Sequence, residues 1–179
     1  MYSFDVEKMK RDIANQNLRS FIYYNVLPLT APFRTEEGPT ANYADGKWAE
    51  WRDLSTLRES PYLMEVVDFF RKHCEVTLVR LLRLEAGAVV REHTDPTLGL
   101  EIKDSVIRLT IPIQVNDQVT FYLNRTPVPM KPGECWYLRL YDPHQINNAG
   151  TEERINMSID MVPNDWIREQ IIEADRNAF

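Results

Sequence analysis

The chain has 179 residues, of which 44% are hydrophobic, 11% aromatic and 27% charged, proportions of an ordinary soluble domain that argue against a disordered or fibrous polymer. A formal net charge of −6, with no lysine or arginine block, argues against a nucleic-acid or anionic-membrane partner and leaves a small molecule as the expected one. With no apolar leader, no run long enough to span a bilayer, and only Cys74 and Cys135, the expectation is a cytoplasmic protein with two reduced core thiols.

Along the chain, "FDVEKMKRDIANQN" (4–17) predicts a short amphipathic helix with Phe4, Met9 and Ile13 on one face, covering a sheet. Residues 27–53, "LPLTAPFRTEEGPTANYADGKWAEWRD", break the pattern with proline, glycine and acids. With Arg34, Tyr43, Trp48 and Trp51 this stretch reads either as a lid over a site or as aromatic packing. "SPYLMEVVDFFRKH" predicts a packing helix, with Ser60 as N-cap, Pro61 at the first turn, and Leu63, Val66, Val67 and Phe70 as its apolar stripe. His73 suits the negative end of that helix dipole.

After Cys74 the runs become short and β-rich: "EVTLVRLLRL", "AVVREH", "SVIRLTIPI", "QVTFYL", "TPVPM", "CWYLRL", "HQIN" and "ERINMSIDMV", separated by turn residues. Many short strands joined by tight turns predict a sandwich or small barrel rather than a parallel α/β sheet. "PNDWIREQIIEADRNA" predicts a closing helix. The expected organisation is one domain: a helical and irregular cover over 1–75, a β core over 76–162, and a terminal helix over 163–179.

The chemistry is concentrated in few residues. The chain has three histidines, and His93 and Asp95 stand two apart in "VVREHTDPTLGLE". In a strand such a pair points to one side, so a nitrogen and an oxygen can be aimed at one point. His144, in "YDPHQINNAG", falls on another β segment and becomes a third donor if the β region rolls up. Two imidazoles and one carboxylate suit the facial triad of non-haem Fe(II) oxygenases, and a zinc ion with one water would also accept them.

In "RINMSID", Arg154, Asn156, Ser158 and Asp160 share one face, and Ile155, Met157 and Ile159 the other. A guanidinium turned into the metal cavity is suited to grip a carboxylate such as the far end of 2-oxoglutarate; the alternative is a surface pair with Glu152 or Glu153. Arg108, among the apolar residues of "SVIRLTIPI", demands an anion: either a structural partner such as Glu101 or a substrate or cosubstrate carboxylate. Trp136 is expected to fill the barrel.

These segments carry a resemblance. From about Leu81 to Trp166, "RLEAG", "EHTDPTLGLE", "VIRLTIPI", "VTFYL", "MKPGECWYL", "DPHQINNAGTEERINMSID" and "VPNDW" resemble, in order, the aspartyl/asparaginyl β-hydroxylase family, particularly its small bacterial members and the related proline 3-hydroxylases. The resemblance implies a mainly β protein with flanking helices, a double-stranded β-helix of jelly-roll, cupin-like type. It also implies an Fe(II)/2-oxoglutarate-dependent dioxygenase acting with O2 on an amino acid, free, carrier-bound or in a peptide. By the same implication the metal ligands fall on His93, Asp95 and His144, the cosubstrate arginine on Arg154, and a further pocket arginine on Arg108. Thr110 and Asn156 stand where many relatives carry histidine. Asp95 stands where the animal enzymes have glycine, which favours hydroxylation over halogenation. The rival expectation is a cupin-like metal-binding protein, or a lyase or isomerase, without oxygen chemistry.

Overall fold

The computed structural model describes residues 2–14, 16, 19–20, 25–34, 38–39 and 50–176. In chain order its elements are α1 (Val6–Ile13), β1 (Arg19–Ser20), β2 (Asn25–Pro28), β3 (Thr30–Arg34), β4 (Gly38–Pro39), β5 (Glu50–Asp53), α2 (Ser55–Arg58) and α3 (Pro61–Arg71). There follow β6 (Val76–Leu84), β7 (Val89–His93), β8 (Ile107–Gln114), β9 (Val119–Leu123), β10 (Thr126–Val128), β11 (Trp136–Tyr137), β12 (His144–Asn148), β13 (Arg154–Met161) and α4 (Asp165–Arg176).

Two antiparallel sheets carry the fold: a six-stranded one in the order β1-β2-β6-β13-β8-β11 and a four-stranded one in the order β10-β9-β12-β7. Strand alternation decides what each face touches. On β8 and β13, Ile107, Leu109, Ile111 and Ile113, with Ile155, Met157, Ile159 and Met161, join one core with Met9 and Ile13 of α1, Leu63, Val66, Val67 and Phe70 of α3, and Ile167 of α4. The helices therefore cover the outer face of the large sheet. A second core takes Leu84 from β6, Phe121 from β9 and Ile146 from β12, with Val90 of β7 and Trp136 of β11 packed against it. It draws on both sheets, so they face each other as the two halves of a double-stranded β-helix. Each fully buried α3 side chain contributes about 2 kcal/mol.

The strand expectations agree with the structure at every one of the eight segments, although "CWYLRL" shrinks to the two residues of β11. The helices differ in detail. Asp5 caps α1 by accepting from the backbone N of Glu7 and Lys8, each at 3.1 Å, so Phe4 lies before the helix rather than on its face. Ser60 does occupy the N-cap position of α3, but its hydroxyl donates to the Thr56 carbonyl instead. The cap comes from α1: Asp12 Oδ2 accepts from the backbone N of Tyr62 at 2.7 Å and of Leu63 at 2.9 Å. His73, just past α3, stacks on Trp166 with centroids 4.3 Å apart.

The described parts of the 27–53 segment contain strands that its composition does not predict. Its start lies in β2, which extends the large sheet, and β3 pairs with both β4 and β5 in a three-stranded sheet. Pro28 and Pro32 hide these strands from pattern reading, because a proline within a run argues against a strand. Residues 35–37 and 40–49, including Tyr43 and Trp48 of the expected lid, lie outside the described residues. No helix among those described is long and apolar enough to cross a membrane.

Candidate metal centre

His93 ends β7 and His144 begins β12, and the antiparallel register sets them directly opposite each other. Their ring centroids are 4.2 Å apart. Asp95 lies just past the strand, where its backbone N donates to the Leu140 carbonyl at 2.9 Å. One donor atom from each of His93, Asp95 and His144 lies within 4.8 Å of the others, a spacing that one cation can bridge.

The two rings are oriented in the same way. Nδ1 of His93 lies 2.8 Å from the carbonyl two residues earlier, Arg91 O, and Nδ1 of His144 likewise lies 2.9 Å from Asp142 O. An imidazole whose Nδ1–H donates to a carbonyl keeps its lone pair on Nε2, free to bind metal. Burial holds the His144 pKa below the usual imidazole value; the Asp142 carbonyl and Asp95 oppose this, and His93 and Arg108 add to it. That ring is therefore neutral, as a ligand must be, near neutral pH.

Arg108 does not meet Glu101, the structural partner that the sequence offers it. Its Nε and Nη2 donate to Oδ1 and Oδ2 of Asp160 at 2.7 and 2.8 Å, and its Nη1 to Oδ2 of Asp95 at 3.2 Å. Protein carboxylates meet it, because Asp160 is the register partner of Arg108 across β13 and β8. Asp160 is thus the residue that sequence reading missed. The demand of Arg108 for an anion and the inward face of "RINMSID" were both legible, but their alignment was not.

Arg154 is only 2% exposed and donates through Nη1 to Asn156 Oδ1. Glu153, one of the two acids offered as its surface partner, is held by Arg83 at 2.7 Å. The turn ahead of Arg154 is pinned by Asn148, whose Nδ2 donates to the carbonyls of Glu85 and Glu152. Between Arg154 and Asp160 on the same face, Ser158 Oγ is buried and has no hydrogen-bond partner among the described residues. Arg80 of β6 stands opposite Ser158 in register and shares that face. Trp136 packs against the inner core and its Nε1 donates to Glu134 at 3.0 Å.

A double-stranded β-helix with two histidines and one carboxylate gathered at neighbouring strands defines a class, the barrels of this fold with a candidate metal centre. The family model described as aspartyl/asparaginyl beta-hydroxylase matches residues 27–163, and the chain belongs to that family. The match reaches further toward the N-terminus than the motifs do. Among solved structures, an oxidoreductase of the 2OG-Fe(II) oxygenase family from Burkholderia pseudomallei is similar in fold: TM-score 0.58 at 12% identity, covering 87% of this chain and 76% of that one. A cupin domain of a transcriptional regulator from Enterobacter cloacae aligns at TM-score 0.39 and 16% identity, over 52% of this chain and 87% of that one. A predicted oxalate decarboxylase from Thermotoga maritima aligns at TM-score 0.37 and 16% identity, over 54% and 73%. A search of curated proteins finds no match.

Proposed function

We propose that this chain is an Fe(II)- and 2-oxoglutarate-dependent dioxygenase that hydroxylates an unactivated C–H bond of an amino acid, free, carrier-bound or within a peptide. One oxygen atom of O2 would enter the product and the other succinate, with release of CO2. The observation that carries this reading is the convergence of His93, Asp95 and His144, with both Nδ1 atoms tied to backbone carbonyls so that both Nε2 atoms are left for the metal. Bound Fe(II), with the keto acid and O2, would supply the oxidising chemistry.

The rest is done by the chain's own residues. Arg154, with Asn156 beside it, offers a buried guanidinium fitted to the far carboxylate of 2-oxoglutarate. The orphaned Ser158 hydroxyl on the same face supports a polar guest inside the barrel, since a buried hydroxyl without a partner is costly. The inner cluster around Phe121, Leu138 and Ile146 borders the centre on one side, with Phe121 stacked against the His144 ring at 6.0 Å between centroids. The two cysteines are unpaired, which suits a reducing, cytoplasmic setting.

The test is anaerobic addition of Fe(II) and then 2-oxoglutarate to the metal-free protein. A chelating keto acid gives a weak visible charge-transfer band, and His144→Ala abolishes both the band and iron binding. A protein that binds Fe(II) without developing the band is a metal-binding barrel, and the proposal fails. Succinate release above the uncoupled background, screened over amino acids and short peptides under O2, then identifies the substrate.

A further inference from the structure

We propose that Asp160 and Arg108 are positioning residues for Asp95. They form a bracket that turns one oxygen of the Asp95 carboxylate away from the metal and presents the other to it. The inference rests on the reading of His93, Asp95 and His144 as metal ligands.

Asp95 needs such a bracket because of where it stands. Both histidines lie within strands, while Asp95 follows the end of β7. The Asp95 side chain is 31% exposed, so packing alone does not fix its rotamer. What reaches it is Nη1 of Arg108, at Oδ2. Arg108 in turn is locked by two parallel hydrogen bonds to Asp160, whose side chain is 5% exposed. Arg108 and Asp160 face each other in register on β8 and β13, adjacent interior strands of the large sheet. The bracket is therefore built on rigid elements and reaches out to a ligand that is not.

The charges support the same assignment. A buried ion pair is a poor device for stability alone, because desolvation of both partners offsets their attraction. Here Asp160 neutralises Arg108, so the guanidinium can hold Asp95 without opposing a cation beside it. The charge of Asp95 remains for the metal.

The experiment is a Co(II) titration of the metal-free full chain, read by calorimetry and by the d–d absorption bands, for wild type and for the double variant Arg108→Gln/Asp160→Asn. The double variant buries no unpaired charge, so it tests orientation rather than charge imbalance. Its affinity should fall by about 10- to 100-fold with a changed band shape, because Asp95 is no longer held. Arg108→Lys, which keeps the charge facing Asp160 but loses the fork, should weaken binding in the same direction, and decides the matter if the double variant does not fold. Wild-type affinity and an unchanged spectrum in the folded variant overturn the bracket while leaving the metal centre standing. A wild-type protein that binds no Co(II) removes the metal centre and the bracket with it.

Discussion

Replacing Arg154 by methionine isolates the proposed cosubstrate grip. Methionine retains an unbranched apolar stem, so the core keeps most of its filling, and the guanidinium is what disappears. At 2% exposure the arginine is almost unscreened by water, and its contact with a bound carboxylate would be a charge-assisted pair. Losing such a buried pair costs about 3 kcal/mol, or roughly 100-fold in the dissociation constant for 2-oxoglutarate. Asn156 Oδ1 loses its donor at the same time, a cost of about 1–3 kcal/mol that is offset in part by no longer burying a charge. The unfolding free energy of the metal-free protein should therefore move by at most about 2 kcal/mol. Metal affinity should not change, because Arg154 is outside the cluster of His93, Asp95 and His144. Anaerobic titration of the Fe(II)-loaded variant with 2-oxoglutarate, beside a metal titration, reads both quantities. Wild-type 2-oxoglutarate affinity in the variant would refute the assignment, and parallel loss of metal would show general damage instead of a lost grip.

Asp12→Ala should destabilise the fold by about 1–2 kcal/mol in urea unfolding, because it removes the acceptor for two amides at the start of α3; Ser60→Ala should not reproduce that loss through capping. The metal-free protein should lose stability on acidification. His144 has a folded-state pKa below the usual 6.5, so the unfolded chain binds the proton more tightly. That contribution is complete above pH 6.5 and is lost as pH falls through the folded value; urea unfolding of wild type and His144→Asn between about pH 7.5 and 5.5 should show the extra slope only in wild type. Burial pushes the Cys135 thiol up to about 12 and raises that of Cys74, so neither should react quickly with a disulfide reagent at about pH 8 until the protein is unfolded. A fast-reacting thiol in the native protein would contradict the packing.

The chain by itself determined the β core, the stripe of α3 and the two-faced pattern of β13, because side-chain alternation and apolar periodicity are written in neighbouring residues. It also limited the metal donors to a few, since only three histidines are present and one of them sits at a helix end. Tertiary structure decided which distant groups meet. Register across β13 and β8 joined Arg108 to Asp160 in place of Glu101, and the packing of α1 on α3 brought Asp12 to amides that Ser60 had been expected to cap. Prolines concealed the strands at the start of the 27–53 segment, whose pairing depends on neighbours more than on their own pattern. Periodicity is a one-dimensional property that a sequence displays directly, whereas partner choice between strands depends on the alignment of the whole sheet and emerges only when the chain has folded.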